Sequence, residues 1–592
     1  MVEVEMGSDQ ESPDVKEWQV SVNLFSNTPV VGCRINPSVR VRVEGSLIPP
    51  PHSLCFTWYR EQVKCSVHRS KLATCQCTSC MELKIPVKES YHCSTECFVA
   101  AWPEHLARHR IAAETINNTT SSDHQEPKIL RSCGSWSDLG SAMVVERDWV
   151  KVGSSEAYEP SMDDTDFRLR LEIVVNCSTG IPISPKTIVE TNPVISFPPQ
   201  LPRCMIQLEK FKKIWASGDV TFSVLSYNIL ADMYASISRD IKSYCPTWAL
   251  AWDYRRKNLL REIIEYNADI ICLQEVQSDH FENFFKPELT KLGYSVMYKR
   301  KKEGIYTDKG DIFEGCATCY RRLLFKEVKR YEFEFANTAL SVVEALEPQL
   351  KNEGHIRLMK DNLALVVVLE AVKDGRSHDA SQTRICVANT HIHANPKLPD
   401  VKLCQVVDLV HGLENIIQSQ VPLLICGDLN SCPKSDPHKF LVRGGIDSFH
   451  STEETDPLRI YKHLKLNHSL VLVSAYASLF SAEGIEKRQL KKMDSNTFEP
   501  LFTNFTPRFS GTIDYILYSA DSLRVIGVLE LLDRESESVR DGLPSAQWSS
   551  DHIALMARFR IVTPPSTRKS TTAPFPSQTC WKAGSSKWKS AN

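Results

Sequence analysis

Apolar and polar residues alternate along four short segments in the first third of the chain. A period of two is typical of half-buried β-strands, in which successive side chains point to opposite faces. The four segments are residues 18–24, 39–43, 56–59 and 167–175. We therefore predict a small β domain that is assembled from two pieces of the chain, residues 17–60 and 145–200.

A second pattern, in which apolar strands alternate with amphipathic helices, occupies residues 215–562. Within residues 254–266, the positions Leu259, Leu260, Ile263 and Ile264 follow helical spacing. Short apolar runs predict buried strands at residues 222–226, 270–273, 364–369, 385–388, 423–426, 513–517 and 553–557. So many buried strands predict an α/β fold in which helices cover a two-sheet core.

Polar segments flank these units. Residues 1–16 are polar and acidic, residues 111–144 are rich in Ser, Asn and Thr, and residues 563–592 are rich in Pro, Ser, Thr and Lys. Such compositions bury little apolar surface, so we expect a disordered linker at 111–144 and disordered tails at both ends. The first residues lack the apolar stretch of a signal peptide, and no apolar run approaches the roughly 20 residues of a membrane span. We therefore expect a soluble intracellular protein with no membrane partner.

Net charge and cysteine content limit how the chain could contact nucleic acid and what its thiols could do. The 592-residue chain has a net charge of −2 and a pI near 6.8, so its surface is not basic as a whole. Contact with nucleic acid would depend on bound metal or on local basic patches such as residues 299–302, although such a run is more often a solvated loop. The chain contains 20 cysteines. Inside a cell these are expected to be reduced thiols, so a cluster of them indicates a metal site rather than disulfides.

Four Cys/His pairs with spacings of two or three intervening residues lie between the two pieces of the β domain, in residues 65–110. The pairs are Cys65/His68, Cys77/Cys80, Cys93/Cys97 and His105/His109. Eight such side chains are the number that two tetrahedral zinc ions require. Scattered thiols would not give this regular spacing.

The alternation of these pairs resembles a MYND-type cross-brace finger. The resemblance implies that Cys65, His68, Cys93 and Cys97 hold one Zn²⁺, and that Cys77, Cys80, His105 and His109 hold the other. Both sites would be structural, because protein ligands fill all four positions. The family typically binds short peptides, which implies that this segment docks a partner. In the β domain, Trp58 and Tyr158 resemble the core residues of an immunoglobulin-like sandwich, although another small β topology fits the pattern equally well.

Six strand-like segments of residues 215–562 end or begin in polar residues that suit phosphodiester hydrolysis. They are residues 226–228, 273–275, 389–391, 426–431, 511–515 and 550–552. This chemistry needs carboxylates to hold a cation, donors to hold phosphate and a group to orient water. Strand ends aim such groups into one cleft. The order of the six segments and the lengths of chain between them resemble those of the exonuclease–endonuclease–phosphatase superfamily. The resemblance implies the two-sheet α/β sandwich of that superfamily.

This resemblance implies a metal centre for the carboxylates. Glu275 would coordinate Mg²⁺ directly, and Asn228 would steady that site. Asp428 would act on the water or on the leaving oxygen, and either role is open. Asp551 would serve a second Mg²⁺.

The same resemblance implies phosphate contacts and a proton relay. Asn430 and His391 would hold phosphate oxygens. His552 would face the scissile phosphate, with Asp514 hydrogen-bonded behind it to fix its tautomer.

Longer local matches resemble the carbon catabolite repressor-type deadenylases, and the finger without leucine-rich repeats resembles their plant branch. The matches are SYNILAD (226–232), WDYRR (252–256), LQEV (273–276), EGCAT (314–318), ANTH (388–391), DVKL (400–403) and ICGDLNS (425–431). The resemblance implies a 3′-to-5′ exoribonuclease that shortens mRNA poly(A) tails, releases 5′-AMP and promotes mRNA decay. It also implies a deadenylase complex whose second nuclease docks through the zinc finger, in the cytoplasm, including RNA granules, or additionally in the nucleus.

Adenine selection in that family uses a Pro, a Phe and an Asn, which match Pro396, Phe509 and Asn504 here. Ala394 and Asn395 replace a Trp-Asp pair that is usual in the family, and this could weaken the base pocket or alter its preference.

Two alternatives remain at this stage. One is another nuclease or phosphatase of the superfamily, for example a nucleotide 2′-phosphatase. The other is an inactive adaptor, against which the presence of Glu275, Asp428, Asn430, Asp514 and His552 argues.

Overall fold

The structure, a computed structural model, describes residues 18–562 except 45–47, 63, 69, 74, 78, 81–89, 120–147, 179, 210–219, 308–309, 373–382, 418–420, 448–451 and 453. The predicted tails 1–16 and 563–592 and most of the predicted linker 111–144 lie outside the described residues. The part of that linker that is described is helical, because the helix that begins at Thr95 continues to Thr119. None of the helices in the described ranges is long and apolar enough to cross a membrane.

The N-terminal part contains short strands and one long helix. Its strands are β1 (Trp18–Asn23), β2 (Ser38–Val43), β3 (His52–Glu61), β4 (Cys75–Gln76), β5 (Tyr91–His92), β6 (Trp149–Gly153), β7 (Arg168–Cys177), β8 (Thr187–Pro193) and β9 (Met205–Gln207). Its helix is α1 (Thr95–Thr119). Strands β6, β3, β7 and β8 form an antiparallel sheet in that order, and β1 pairs with β2 in a separate hairpin. The Cys/His segment thus lies between β3 and β6, which are neighbours in the sheet.

Trp58 is the centre of the small β core. Its side chain is fully buried and stacks on the ring of Tyr158 with 5.6 Å between ring centroids. The Tyr158 hydroxyl donates to Oδ2 of Asp164 at 2.8 Å. The two aromatic residues singled out in the sequence therefore belong to one core, where large rings supply much of the buried apolar area.

The C-terminal part carries the remaining elements. Its strands are β10 (Thr221–Asn228), β11 (Ile270–Gln277), β12 (Tyr294–Arg300), β13 (Ile305–Thr307), β14 (Gly310–Ile312), β15 (Glu314–Arg321), β16 (Phe325–Glu334), β17 (Leu363–Ala371), β18 (Arg384–His391), β19 (Leu423–Asp428), β20 (Leu472–Ser474), β21 (Asn504–Thr506), β22 (Phe509–Gly511), β23 (Asp514–Ser519), β24 (Leu523–Leu529) and β25 (Leu555–Ile561). Its helices are α2 (Asp232–Ile237), α3 (Arg239–Tyr244), α4 (Thr247–Leu250), α5 (Trp252–Tyr266), α6 (Ser278–His280), α7 (Lys286–Lys291), α8 (Ala336–Ala345), α9 (Lys351–Leu358), α10 (Pro399–Ile417), α11 (Asp436–Arg443), α12 (Ser478–Ser481) and α13 (Lys487–Leu490).

Strands β13 and β14 form one two-stranded hairpin and β21 and β22 form another, while the other strands together with β9 form two large mixed sheets. The first sheet has the order β12-β15-β11-β10-β25-β24-β9, and the second has the order β16-β17-β18-β19-β23-β20. One apolar cluster contains Val224 of the first sheet together with Val387, Leu424 and Ile516 of the second, so the sheets pack face to face. Helix α5 covers the outer face of the first sheet and α10 covers that of the second. The predicted two-sheet α/β sandwich is confirmed.

One boundary differs from the prediction. The first sheet includes β9, which pairs with β24 through Met205 and Gln207. The sandwich therefore begins before residue 215. A three-residue strand carries too little periodic signal to be recognised from sequence, and only its pairing defines it.

A buried amide joins the two sheets. Strand β11 has a bulge, at which Gln274 and Glu275 lie opposite the single residue Cys316 of β15. Nδ2 of Asn389, which comes from β18 of the other sheet, donates into this bulge to the carbonyl oxygens of Leu273 and Ala317 at 3.1 and 2.9 Å. Nε2 of Gln274 donates back to Oδ1 of Asn389 at 2.8 Å.

Candidate active site

Strand register brings the predicted residues to one edge of the sandwich. His391, Asp428 and Asp514 are aligned partners on the neighbouring strands β18, β19 and β23. From the first sheet, Asn228 ends β10 beside β11, the strand that carries Glu275. The carboxylates, amides and imidazoles predicted from six separate strand ends thus meet in one cleft.

Asn228 lies at the centre of this cleft. Its Nδ2 donates to Oε1 of Glu275 at 3.0 Å and to Oδ2 of Asp428 at 3.1 Å. Its Oδ1 accepts from the backbone N–H of Leu230 at 3.1 Å, which fixes the amide orientation. The Asn228 side chain is completely buried. One amide therefore sets the separation between two carboxylates that belong to different sheets.

The β-bulge aims Glu275 into the cleft. Glu275 has φ of +55°, a left-handed conformation that is uncommon for residues other than glycine. Its Oε2 accepts from the backbone N–H of Ala231 at 3.0 Å. Bulges are frequent beside active sites because they redirect a single side chain without unfolding the strand.

Burial makes both carboxylates hard to ionise. It raises the pKa of Glu275 to about 7, with a further contribution from Asp551. Burial likewise raises the pKa of Asp428 to about 7, with a further contribution from Asp514. Closely spaced buried carboxylates of this kind are stabilised when a cation binds them.

His552 and Asp514 form a hydrogen-bonded pair. Nδ1 of His552 lies 2.8 Å from Oδ2 of Asp514, which also accepts from the Thr503 hydroxyl at 2.6 Å. Burial alone would lower the pKa of His552, but the carboxylates of Asp514, Asp551 and Asp428 outweigh it and raise that pKa well above its ordinary value. Nε2 of His552 lies 3.7 Å from Oδ2 of Asp428 and faces the cleft. The pair therefore holds a proton donor in a fixed orientation.

Asp551 offers a carboxylate oxygen to the cleft. Its Oδ2 accepts from Nδ2 of Asn504 at 3.1 Å, whereas its buried Oδ1 has no hydrogen-bond partner among the described residues. Buried polar atoms are normally satisfied, so this oxygen fits a metal ligand. Glu275, Asp428 and Asp551 each offer a carboxylate oxygen, the ligand type that Mg²⁺ prefers, but their oxygens are not gathered within reach of a single ion. Asp428, Asp514 and His552 do lie within reach of one ion, but the short Asp514–His552 contact favours a proton relay there.

The second sheet also contributes His391 and Asn430 to the cleft. His391 is buried, and this burial lowers its pKa well below the ordinary value. The positive charge of Lys301 lowers that pKa further. Its Nε2 lies 3.7 Å from Oδ2 of Asp428. The backbone N–H of Asn430 donates to Oδ1 of Asp428 at 2.8 Å, and Nδ2 of Asn430 donates to the Ile392 carbonyl at 2.9 Å. Asn430 is thereby held at the cleft rather than left free.

The predicted base-binding residues differ in their burial and in their contacts with the site. Asn504 is buried, and Nδ2 of its side chain is bound to Asp551. Phe509 is 40% exposed on β22, and Pro396 is exposed in the loop between β18 and α10. Of the predicted adenine residues, Asn504 is therefore tied to the centre of the site, while the other two are open to solvent.

The basic run at residues 299–302 is paired within the protein. Lys299 contacts Glu332 at 2.7 Å and Lys302 contacts Glu334 at 2.6 Å, while Lys301 forms an ion pair with the buried Glu314. These lysines are engaged by neighbouring carboxylates. The run thus stabilises the loop that follows β12.

Sequence reasoning did not assign roles to two buried cations that support the site. Arg255 on α5 donates to the Ser549 carbonyl at 2.9 Å and to the Ile229 carbonyl at 2.8 Å. Lys402 on α10 donates to the Asn430 carbonyl at 2.6 Å. Arg255 lies inside the local match at 252–256, and Lys402 lies inside the match at 400–403. The motifs therefore included both residues, but the sequence did not show which carbonyl groups they bind.

The eight Cys/His side chains of the inserted segment form two groups. The first group contains Cys65, His68, Cys93 and Cys97. The second group contains Cys77, Cys80, His105 and His109. This is the division that the cross-brace resemblance predicted.

Separations within each group suit a tetrahedral ion. Nδ1 of His68 lies 3.3 Å from the sulfurs of both Cys93 and Cys97, and the sulfur of Cys80 lies 3.1 and 3.2 Å from Nε2 of His105 and His109. Ligands of a tetrahedral zinc are about 3.3–3.8 Å apart, given bond lengths of about 2.0–2.3 Å. Sulfur and imidazole donors at these distances fit Zn²⁺.

Comparison with known proteins agrees with this geometry. A sequence profile of the Endonuclease/Exonuclease/phosphatase family matches residues 225–552. Carbon catabolite repressor protein 4 homolog 1 of Arabidopsis thaliana is 44% identical to this chain over 595 residues, which covers 92% of this chain and 98% of that protein. The match thus includes the N-terminal part as well as the sandwich.

A fungal relative and a solved structure match a smaller part. The CCR4-Not complex 3′-5′-exoribonuclease subunit Ccr4 of Mycosarcoma maydis is 33% identical over 382 residues, covering 60% of this chain and 52% of that protein. The crystal structure of ANGEL2, a 2′,3′-cyclic phosphatase, is 27% identical, with a TM-score of 0.45 and coverage of 61% of this chain and 99% of that one.

Proposed function

Because the chain belongs to the endonuclease/exonuclease/phosphatase family, among the carbon catabolite repressor protein 4 homologs, we propose that it is a 3′-to-5′ exoribonuclease that shortens poly(A) tails and releases 5′-AMP. The observation that carries the proposal is the contact of one amide, that of Asn228, with the carboxylates of Glu275 and Asp428 from opposite sheets. This geometry gathers cation ligands beside a fixed imidazole, which is what phosphodiester hydrolysis requires.

Mg²⁺ would be held by Glu275, Asp428 and Asp551, in one or two sites, and would supply positive charge to the attacking and leaving oxygens. His552 donates from Nε2 to an oxygen of the scissile phosphate, while Asp514 holds the proton on Nδ1. Asp428, whose pKa is raised to about 7 in the absence of a cation, accepts the proton of the attacking water. The 3′ oxygen of the shortened RNA then leaves and takes up a proton from solvent water, and the phosphate stays on the 5′ side of the released AMP. His391 and Asn430 contact the phosphate from the second sheet.

Adenine would be selected at the rim. Phe509 offers a ring for stacking, and Oδ1 of Asn504 can accept from the exocyclic amino group because its Nδ2 is already bound to Asp551. Pro396 closes the opposite side of the base in this proposal. Ala394 and Asn395 beside it would make that side less rigid than an aromatic residue would.

The Cys/His segment would hold two structural Zn²⁺ ions and dock partners. Relatives of this chain are named as subunits of the CCR4-Not complex. We assign docking of the second nuclease of such a complex to the zinc finger, and we expect the protein in the cytoplasm. Deletion of residues 65–110 should then abolish capture of that nuclease and leave RNA cleavage intact. Capture that survives the deletion would rule out this assignment.

The catalytic proposal is tested with a 5′-labelled RNA that ends in oligo(A), Mg²⁺ and the purified full-length chain. A ladder that shortens from the 3′ end and slows at non-A residues, and that is absent with Asp428→Asn, is the expected result. Intact RNA with the wild-type protein contradicts a nuclease, and single internal cuts contradict an exonuclease.

A further inference from the structure

A cavity of about 330 Å³ adjoins the candidate active site on the side of the β21–β22 hairpin. It is lined by Phe505, which directly follows Asn504 in β21 and whose backbone N–H donates to the Asp551 carbonyl at 3.0 Å. Phe509 lines the same cavity. One lining residue is therefore hydrogen-bonded to the backbone of Asp551, a residue of the candidate site.

Three arginines line this cavity. The guanidinium of Arg534 lies 5.1 Å from the centre of the Phe505 ring. Arg508 contacts Asp240 at 2.6 Å, and Arg540 contacts Asp541 at 3.8 Å, with all four of these side chains substantially exposed. Exposed ion pairs of this kind contribute little to stability, so another anion can readily replace the carboxylate as the partner of the arginine.

We infer that this cavity binds the single-stranded RNA next to the scissile phosphate, with Arg534 and Arg540 contacting its phosphodiesters. This inference rests on the proposed function. Guanidinium groups with aromatic rings are the combination that recognises single-stranded nucleic acid, because the cations track phosphates and the rings stack on bases. The cavity offers both kinds of group within reach of one nucleotide. Its contacts to phosphate should not distinguish adenine from other bases.

The test uses fluorescein-labelled oligo(A) and oligo(C), with Mg²⁺ omitted to prevent cleavage and without a chelator that would remove Zn²⁺, and measures Kd by anisotropy across a salt series. Arg534→Ala and Arg540→Ala should each raise Kd about 5-fold or more at low salt for both RNAs, and should each reduce the salt slope by about 0.7. Arg534→Lys should retain the wild-type slope. Arg330→Ala, which removes an exposed arginine of the distant edge strand β16, is the matched control.

Equal Kd values and equal slopes for wild type, Arg534→Ala and Arg540→Ala would overturn the inference. If the wild-type protein cuts RNA while these variants bind it normally, only the cavity assignment fails. A wild-type protein that neither binds nor cuts RNA would overturn the proposed function as well.

A second, independent observation concerns the β domain. Val30 and Cys33, from the loop between β1 and β2, are buried in one apolar cluster with Leu230 and Tyr254 of the sandwich. The ring of Phe197 stacks on Tyr254 with 4.7 Å between centroids. The β domain and the sandwich thus share one apolar cluster.

Polar contacts reinforce this junction. Nζ of Lys257 on α5 donates to the Gly32 carbonyl, and Nδ2 of Asn36 donates to Oδ2 of Asp253 at 3.0 Å. Arg261 donates to the Pro198 carbonyl at 3.1 Å. One side of α5 is therefore held by the β domain.

The other side of α5 supports the catalytic loops. Arg255 binds the carbonyls of Ile229 and Ser549, and Asn258 binds the Gln547 carbonyl at 2.8 Å. These loops present the Ala231 N–H to Glu275 and lead into Asp551. We propose that the β domain positions Glu275 and Asp551 through α5, so that its packing tunes the affinity of the site for Mg²⁺.

Val30→Ala tests this proposal, and Val194→Ala is the matched control because Val194 is equally buried but lies in the core of the β domain itself. The stabilisation of each full-length protein by Mg²⁺ is measured as a shift in Tm. Val30→Ala should need about 5–10-fold more Mg²⁺ than the wild-type protein for the same increase in Tm, as expected for a residue that orients ligands indirectly. Val194→Ala should lower Tm without changing the Mg²⁺ requirement. Identical Mg²⁺ requirements for the two variants would overturn the proposal.

Discussion

Asn228 donates from one amide nitrogen to Glu275 at 3.0 Å and to Asp428 at 3.1 Å, although these carboxylates belong to different sheets. We expect Asn228→Ala to lower kcat about 100-fold and to weaken Mg²⁺ binding about 10-fold, because both carboxylates lose a donor and a fixed separation. Cleavage assays over a Mg²⁺ series measure both effects. Ser236→Ala on α2 is a nearby control that should behave as wild type. An unchanged Mg²⁺ requirement in Asn228→Ala would contradict the prediction.

The pair of Asp514 and His552 gives a different prediction. In Asp514→Asn, the amide can present N–H to Nδ1 of His552, which leaves a proton on Nε2 but removes the carboxylate that stabilises the protonated imidazole. We expect kcat to fall about 10³–10⁴-fold with little change in KM, by analogy with carboxylate–histidine pairs in hydrolases. Steady-state kinetics on oligo(A) RNA provide the measurement. A fall in RNA affinity alone, with kcat preserved, would show that His552 binds substrate without acting in the chemical step.

The buried carboxylates predict a pH-dependent response to metal. Because the pKa values of Glu275 and Asp428 are raised to about 7, these two groups bind more protons in the metal-free folded protein than in the unfolded chain at pH values between about 4 and 7. Their contribution to the free energy of unfolding should therefore decrease as pH rises through that range. Mg²⁺ displaces these protons, so the increase in Tm that it causes should be larger at about pH 8 than at about pH 5.

Glu275→Gln is the control for this behaviour, since it removes one of the titrating groups and one ligand. Its Mg²⁺-dependent shift in Tm should be small at every pH. A wild-type shift that is the same at both pH values would mean that these carboxylates do not bind the ion.

Gly427 is the position in the sandwich where a side chain fits least. Its φ is +144°, and a Cβ atom would lie 1.9 Å from the Thr390 carbonyl oxygen on the neighbouring strand β18. Gly427→Ala should therefore lower the free energy of unfolding by about 4 kcal/mol or more. Gly293→Ala should cost only about 1–2 kcal/mol, because Gly293 has φ of +90° but open space around it. Urea unfolding of both variants makes the comparison, and equal losses would contradict it.

Zinc content tests the inserted finger. Cys80 lies against both His105 and His109, so Cys80→Ser should reduce bound zinc from two ions to one per chain. Cys75 donates to the His92 carbonyl at 3.4 Å and belongs to neither group, so Cys75→Ser should retain both ions. Atomic absorption measures the metal, and RNA cleavage should be unaffected in both variants. Loss of zinc from Cys75→Ser would require a different ligand set.

Much of this site could be expected from the sequence because its chemistry is local to strand ends. Asp428 directly follows an apolar run and Glu275 closely follows residues 270–273, so both were visible as candidates. Sandwich topology then brings such ends together. The resemblance to known nucleases supplied the order in which they meet.

The features that were missed depend on three-dimensional paths. Arg255 and Lys402 act on backbone carbonyls that are distant in sequence, and nothing local marks those partners. The continuation of α1 to Thr119 was mistaken for a linker because the region is polar. However, residues 110–116 include several good helix formers, and they follow the helical pair His105 and His109. The composition of residues 111–144 is an average, so it does not reveal a helix that occupies only the first part of the segment. A helix that packing has already nucleated can be extended at little further cost in free energy.

Asn389 has a consequence for the evolution of this sandwich. Its amide fits a bulge that exists at only one place along β11, so it fixes how far one sheet can slide along the other. An apolar core alone tolerates small translations, because one methyl group can replace another in a contact. Catalytic groups that are divided between two sheets cannot tolerate such a slip. Asn389 therefore fixes the position of one sheet relative to the other. The surrounding apolar residues can then vary while the catalytic groups of the two sheets stay aligned.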